Sequence, residues 1–145
     1  MLIRKIVEQD LIECSKILKN EYSSEPYNEE FINNNELKYI ESKYKNNKDT
    51  CFVVEDNGKV IWFCFSSISY WADWLQWILE EIVISKEYQW KWVWKKIYNF
   101  MENYFKDLWA KSLMLWVQDN AWAYHFHLKN GFFKSDEHSI MFKNL

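Results

Sequence analysis

The sequence is poor in glycine. It contains two glycines, Gly58 and Gly131, whereas average usage predicts roughly ten in a chain of 145 residues. It contains ten tryptophans. Glycine serves wherever a chain needs a positive φ or a close approach of the backbone to a ligand. The shortage therefore indicates a chain in which another residue stands at such positions.

Other scarcities exclude whole classes of protein. The three cysteines, Cys14, Cys51 and Cys64, are odd in number and have no C-x-x-C spacing, which argues against disulfides and zinc and predicts buried free thiols. No apolar run approaches the roughly 18 residues of a membrane span, and residues 1–5 lack a signal-peptide core. A net charge of −3 gives no case for binding nucleic acid or an anionic membrane. We therefore expect a cytoplasmic protein without either partner.

Hydrophobic periodicity predicts strands and helices that alternate along a single domain, residues 1–145. Asp56-Asn57-Gly58 is a strong hairpin turn, and Asn130-Gly131 is a natural end for a helix. Residues 69–77 read as a loop, in which Trp71, Trp74 and Trp77 are hard to bury. The predicted strands are 2–7, 51–54, 60–68, 75–84, 113–117 and one or two from 132 to about 142; the predicted helices are 11–22, about 28–46, about 92–108 and 120–129.

The resulting order, β-α-α-β-β-β-α-β-α-β-β, indicates an α/β (α+β) domain with a mixed sheet. Its central unit, a strand followed by a loop and a helix, is the expected ligand site. The strand carries adjacent carboxylates, Glu80 and Glu81, and residues 87–97 read E-Y-Q-W-K-W-V-W-K-K-I. With glycine at 90, 92 and 94 this loop would be Q-G-K-G-V-G-K-K, in which bare amides at a helix start bind phosphate.

Two further segments complete the pattern. Residues 109–113 read W-A-K-S-L, and residues 120–132 read N-A-W-A-Y-H-F-H-L-K-N-G-F. With the strand at 78–84 and its loop, they resemble the GNAT superfamily of acyl-CoA-dependent N-acetyltransferases, whose corresponding helix reads N-x-x-A-x-x-F-Y-x-x-x-G-F. The three motifs stand in the family's order and separations.

The resemblance implies a fold and an activity. The fold is a mixed, mostly antiparallel central sheet flanked by helices, with a V-shaped splay between the fourth and fifth strands. The activity is transfer of an acetyl group from acetyl-CoA to a primary amine, by direct attack in a ternary complex and without a metal. The partner would be an amine-bearing small molecule or a protein amine, and the protein a monomer or homodimer.

The resemblance also assigns residues to the cofactor. The backbone of Ile82, Val83 and Ile84 would pair with the pantetheine arm, and Asn120 would contact the cofactor near its sulfur. Backbone amides at the start of the third helix would hold the pyrophosphate, assisted by the helix dipole. These amides belong to Gln89, Trp90, Lys91, Trp92, Val93, Trp94 and Lys95.

Three side chains are the catalytic candidates. Glu80 aligns with the family's general base, acting through water, and its alternative is a solvated edge carboxylate. Strand alternation predicts that Glu81 points to the opposite face. His127 stands where the family has the tyrosine that protonates the coenzyme A thiolate, and its pKa of about 6.5 would change the pH behaviour. Its alternative is a helix-surface histidine without chemistry.

We interpret the tryptophans as residues at glycine positions, because Trp62, Trp109 and Trp116 also stand where the family commonly has glycine. Ten rings of about 150–250 Å² each would overpack this domain. Some bacterial lineages read the codon UGA as glycine and another code reads it as tryptophan, so we hypothesise that UGA glycines have been read as tryptophan. If the tryptophans are genuine, the alternative is a catalytically dead GNAT-fold protein with an aromatic-lined binding surface.

The acceptor is not readable from the sequence. The variable region from Tyr22 to Lys48 would form part of the acceptor pocket. Its acidic stretch 25–30 is compatible with a polyamine or an aminoglycoside, and a protein N-terminus or lysine remains an alternative.

Overall fold

A five-stranded sheet with helices on both faces forms the framework of the computed structural model, which describes residues 1–89 and 92–144, with Trp71 described by its main chain alone. The strands are β1 (Leu2–Lys5), β2 (Phe52–Asp56), β3 (Lys59–Trp71), β4 (Trp74–Ile84) and β5 (Ala110–Leu115). The helices are α1 (Leu11–Tyr22), α2 (Asn35–Asn46), α3 (Val93–Asp107) and α4 (Trp122–Lys129).

The strands lie in chain order, β1-β2-β3-β4-β5. The first four are antiparallel to their neighbours, whereas β5 is parallel to β4 because α3 carries the chain back to the starting edge. The β2–β3 hairpin turns at Asn57 and Gly58, whose φ angles of 50° and 79° suit a type I′ turn. The mixed, mostly antiparallel sheet and its hairpin are thereby confirmed.

The prediction of a loop over residues 69–77 is wrong. Strand β3 continues to Trp71 and pairs with β4 from Trp74, with the turn at Ala72 and Asp73. Trp77 is buried, and its indole stacks on Phe105 of α3 with ring centroids 3.9 Å apart. The indole is accommodated because it belongs to a strand that faces a helix, where an aromatic partner covers it.

Two hydrophobic cores cover the two faces of the sheet. One lies between the sheet and the helices α1 and α2, and includes Leu18, Ile40, Phe63 and Val83. The other lies between the sheet and α3, with Trp62, Trp77, Ile97 and Phe105 among its members. The amphipathic pattern of α3 explains its place, because its apolar stripe packs on the sheet.

The ladder between β4 and β5 covers only the first part of β4. It joins Leu75–Leu79 to Ala110–Leu115, and residues 80–84 of β4 have no partner on β5. The predicted splay between the fourth and fifth strands is confirmed, and it leaves one backbone edge of residues 80–84 open.

Two boundaries differ from the prediction. Helix α2 begins at Asn35 rather than near Asn28, because Asn33 and Asn34 adopt left-handed φ angles of 54° and 56°, which a helix cannot continue. No strand forms in the described residues after α4, up to residue 144, and Phe133 and Met141 are exposed.

The chain leaves α4 through a helix cap. The amide of Phe132 donates to the carbonyl of His127, and that of Gly131 to the carbonyl of Leu128. This arrangement is a helix cap that sets the direction of the chain as it leaves α4. A strand needs a partner backbone, and the described tail pairs with no strand of the sheet.

Across the described ranges, no helix has both the length and the apolar character to cross a bilayer.

Candidate active site

A β-bulge in β4 shapes the centre of the candidate site. Phe65 of β3 lies opposite Glu81 and Ser66 opposite Leu79, so Glu80 is the extra residue of the bulge. A bulge interrupts the alternation of side chains along a strand. Glu80 and Glu81 therefore both point toward α2, and the expectation that they occupy opposite faces is wrong.

Glu80 is held by α2. Its Oε2 lies 2.8 Å from Nζ of Lys43, and Nδ2 of Asn47 donates to its Oε1 at 3.4 Å. Burial raises the pKa of Glu80, but hydrogen bonds from Lys43, Ser67 and Asn47 and the charge of Lys43 outweigh it, so the pKa lies below its usual value. The alternative of a freely solvated edge carboxylate does not describe this residue, whose side chain is 16% exposed.

Glu81 is held by two tyrosines. The hydroxyl of Tyr22 donates to its Oε1 at 2.8 Å, and the hydroxyl of Tyr39 donates to its Oε2 at 3.0 Å. The amide of Ile82 also donates to Oε1. Burial beneath α1 and α2 raises the pKa of Glu81 in spite of these bonds. Tyr27 stacks on Tyr22 and extends the aromatic surface, with ring centroids 4.5 Å apart.

The sequence predicts that the region from Tyr22 to Lys48 forms part of the acceptor pocket, but it did not single out Tyr22, Tyr39 or Lys43 within that region. Tyr22 belongs to the apolar stripe of α1, and nothing in that stripe indicates that its hydroxyl meets a carboxylate. Tyr39 and Lys43 are four residues apart and share one face of α2, which was the one available signal. Which strand this face of α2 contacts depends on how the helix packs on the sheet, and the sequence alone does not predict it.

The open edge of β4 lies directly beyond these carboxylates. Ile82, Val83 and Ile84 pair with β3 on one side and have no partner on β5. Val83 and Ile84 are buried and Ile82 is half-buried, so the open feature is their backbone. Asn120 lies exposed in the turn before α4, which begins at Trp122 rather than at residue 120.

The loop before α3 follows this strand. The side-chain amide of Gln89 donates to Oε2 of Glu21 at 2.6 Å and to the carbonyl of Ile84 at 3.1 Å, which ties the loop to β4 and α1. Trp90 and Lys91 lie outside the described residues. Trp92 is the exposed N-cap of α3 and has no side-chain hydrogen bond to the helix.

The first turn of α3 borders a cavity of about 550 Å³ that reaches α4. Val93 is buried in the core and Lys95 is exposed. Trp94 is buried in the groove between α3 and α4, with its ring centroid 4.9 Å from that of Phe126 and 6.4 Å from that of Trp122. The cavity is lined by Gln89, Trp92, Trp94, Lys95, Tyr98, Asn99, Glu102, Trp122, Phe126 and Asn130.

His127 is buried, so the interpretation as a surface histidine is wrong. It is 4% exposed beneath Phe126 and Phe132, and its Nδ1 lies 2.7 Å from the hydroxyl of Tyr98. Burial lowers its pKa to about 4, because the charged imidazolium loses its hydration. The side chain is therefore neutral near pH 7.

Several tryptophans have an indole N–H or a backbone conformation that is unfavourable, even where the ring itself is well packed. Trp62, Trp77 and Trp94 are buried, and their indole N–H groups have no hydrogen-bond partner in the described part of the chain. A buried donor without a partner costs about 1–3 kcal/mol. Trp109 has a φ of 65°, a left-handed conformation that bulky residues rarely adopt, and the residue is 83% exposed. Its backbone is of the kind that glycine adopts without strain.

A family model described as the acetyltransferase (GNAT) family matches residues 11–132. The match includes β4, the loop before α3, and the whole of α4. Comparison with curated proteins finds no match.

Solved structures share the fold. A possible acetyltransferase from Clostridium difficile 630 superposes with a TM-score of 0.81 at 18% identity, over 99% of this chain and 97% of the other. The aminoglycoside N-acetyltransferase AAC(6')-Iy, in complex with CoA, gives 0.72 at 16% identity over 99% and 93%. An aminoglycoside acetyltransferase from an uncultured soil metagenomic sample, in complex with sisomicin, gives 0.71 at 12% identity over 99% and 95%.

Proposed function

Since the chain belongs to the acetyltransferase (GNAT) family, we propose that it transfers an acetyl group from acetyl-CoA to a primary amine. The proposed enzyme acts as a single domain, residues 1–145, in the cytoplasm. The observation that carries the proposal is the open backbone edge of residues 80–84, directly beside two carboxylates that share one face of the sheet.

The proposed cofactor site runs from this edge to the start of α3. The edge of Ile82–Ile84 that has no β5 partner fits a pantetheine arm, which carries amides able to pair with a strand edge. At this edge the Ile82 amide donates to Glu81 and the Ile84 carbonyl accepts from Gln89, so the arm would compete with these two bonds. The uncapped start of α3 fits a pyrophosphate, because its amides and the helix dipole favour negative charge. Asn120 would contact the cofactor near its sulfur.

The proposed reaction is direct attack within a ternary complex. The lone pair of the amine attacks the thioester carbonyl carbon, the C–S bond breaks, and the thiolate leaves. A carboxylate of β4 accepts the proton that the amine nitrogen loses. We propose Glu80, through water, as this base.

Glu81 is the second candidate for the base. Its carboxylate shares the face of Glu80, and its raised pKa brings it closer to the range in which a general base is effective. The bond from Lys43 lowers the pKa of Glu80 and makes it a weaker base.

His127 is the proposed donor to the departing thiolate. We assign the Tyr98 hydroxyl as the donor to Nδ1, which leaves the proton of the neutral imidazole on Nε2. An imidazole that stays neutral near pH 7 donates more weakly than an imidazolium, so the proposal requires transfer within a dry pocket.

The proposed acceptor is a small cationic amine. Two carboxylates and the stacked rings of Tyr22 and Tyr27 offer charge and an apolar surface to such a molecule. Two of the structural neighbours are named as aminoglycoside acetyltransferases, which makes aminoglycosides the first compounds to test, followed by polyamines.

We further propose that the natural residues at the tryptophan positions are glycines encoded by UGA. The left-handed φ of Trp109 and the unpartnered N–H groups of Trp62, Trp77 and Trp94 support this proposal. Sequencing the gene tests it directly. UGG codons at 90, 92 and 94 would overturn it.

The second candidate function is that of a binding protein without catalysis. The indole of Trp94 in the α3–α4 groove favours it, because an aromatic-lined cavity of about 550 Å³ suits a flat ligand. Coenzyme A binding distinguishes the two functions. The proposed enzyme binds coenzyme A, whereas a binding protein whose loop before α3 is blocked by indoles does not.

The decisive experiment follows thiol release from acetyl-CoA with a panel of aminoglycosides, polyamines and lysine peptides. It is run on the chain as written and on the chain with glycine at 90, 92 and 94. Amine-dependent release by either version supports acetyl transfer. Coenzyme A binding without release on any amine would contradict it.

A further inference from the structure

One amine of the protein itself already lies against the proposed base. Nζ of Lys43 is 2.8 Å from Oε2 of Glu80, the bulge residue of β4. The side chain of Lys43 is 28% exposed, so it is partly accessible without being free in solvent. It lies close enough to pass a proton to Glu80 directly, whereas an added acceptor amine would pass its proton through water.

We propose that Lys43 is an intramolecular acetyl acceptor. It is acetylated by acetyl-CoA bound to the same chain when no amine occupies the acceptor site. The proposal rests on the proposed acetyltransferase function. It adds a modification site that the mechanism does not require.

The step balances as an ordinary acyl transfer. Lys43 first gives one ammonium proton to the carboxylate of Glu80, and the lone pair then attacks the thioester carbonyl carbon. The C–N bond forms, the C–S bond breaks, and the nitrogen loses its second proton, which passes to the departing thiolate. The products are Nζ-acetyl-Lys43 and a free thiol.

Acetylation would change the site in a defined way. An amide at Nζ carries no positive charge, so the ion pair with Glu80 is lost. Lys43 is the charged group that lowers the pKa of Glu80, and its loss returns that pKa toward its usual value. Glu80 is therefore a stronger base in the acetylated protein than in the unmodified one.

The chain offers a matched control in Lys19. Its Nζ lies 3.1 Å from Oε1 of Glu36, so it is also paired with a carboxylate, but that carboxylate is on α2 and outside β4. Its side chain is 48% exposed, more than that of Lys43. Non-specific acetylation therefore favours Lys19, whereas the proposal favours Lys43.

The test is peptide mass spectrometry after incubation without any added amine. The chain as written is incubated with S-acetylpantetheine, which lacks the pyrophosphate, and the chain with glycine at 90, 92 and 94 with acetyl-CoA. We expect acetylation of Lys43 to be about tenfold or more faster than that of Lys19. The rate constant should not depend on protein concentration.

Two variants make the result specific. Glu80→Gln should slow acetylation of Lys43 and leave Lys19 unchanged, because it removes the proton acceptor and keeps the lysine. Lys43→Arg should abolish the rapid acetylation, because arginine at position 43 offers no amine to acetylate. Labelling of Lys43 no faster than that of Lys19, or a rate proportional to protein concentration, would overturn the inference.

The same samples separate this inference from the proposed function. Thiol release with added amines but without labelled Lys43 would overturn the inference and leave the acetyltransferase intact. No release with any amine and no labelled lysine would overturn both.

Discussion

Glu80 and Glu81 are neighbours in the sequence, and yet both carboxylates bond to the same helix, α2. Lys43 holds the first at 2.8 Å and Tyr39 holds the second at 3.0 Å. The bulge at Glu80 causes this arrangement, since it adds one residue to β4 and so cancels one alternation. Two carboxylates with pKa values displaced in opposite directions thereby share one face of the sheet.

Amide substitutions distinguish the two carboxylates. We expect Glu80→Gln to reduce kcat by about 10²–10⁴-fold with little change in coenzyme A affinity, because glutamine cannot accept the proton of the amine. Steady-state kinetics with the best amine of the panel measure this. A comparable loss in Glu81→Gln, with normal rates in Glu80→Gln, would move the role of base to Glu81.

Glycine at 90, 92 and 94 should restore coenzyme A binding. Losing three amide–phosphate bonds of about 1.5–3 kcal/mol each removes roughly 5–9 kcal/mol, or three to six decades of affinity. Calorimetry on both versions measures the difference, and Trp116→Gly is the control outside the loop. Micromolar binding by the chain as written would show that the loop tolerates indoles.

Trp109→Gly should stabilise the chain. The left-handed φ of 65° costs a bulky residue on the order of 1–3 kcal/mol, and little burial is lost because the residue is 83% exposed. Trp116→Gly is the matched control: Trp116 is 57% exposed without a positive φ, so glycine relieves no strain there and should not stabilise the chain. Urea unfolding compares the free energies. Equal effects of the two substitutions would refute the strain at Trp109.

His127 should make stability depend on pH between about 6.5 and 4. Its pKa is near 6.5 in the unfolded chain and about 4 in the folded one, so the unfolded chain binds the extra proton as the pH falls. The contribution of neutral His127 to the free energy of unfolding is fully present above pH 6.5, and at pH 4 it is smaller by about 3 kcal/mol. Unfolding free energies of the chain and of His127→Gln, measured at several pH values, should differ in slope over this window. Parallel curves would contradict the burial of a neutral imidazole.

The catalytic role of His127 has its own test. Restoring the tyrosine of the family motif, His127→Tyr, should retain activity, because its hydroxyl can donate to the thiolate. His127→Phe should slow thiolate departure, because phenylalanine has no proton to give. Single-turnover kinetics with each variant measure this step. Unchanged rates in His127→Phe would leave the residue with a packing role alone.

The sequence by itself determined the order of the elements through α4, the Asn57–Gly58 hairpin, the extent of α3 and the cap at Gly131. These features depend on neighbours within a few residues, through the period of apolar positions and the φ preferences of turn residues, so a single sequence carries them. The family motif in residues 120–132 is equally local.

Only the tertiary structure decided where the side chains of the site point. The bulge at Glu80 is a mismatch in register between β3 and β4, and register depends on both strands together. The burial of His127 under Phe132, the stacking of Trp77 on Phe105 and the bond from Tyr39 to Glu81 join distant parts of the chain. Local periodicity says that a residue faces a core, but which partner meets it there follows from how the layers pack.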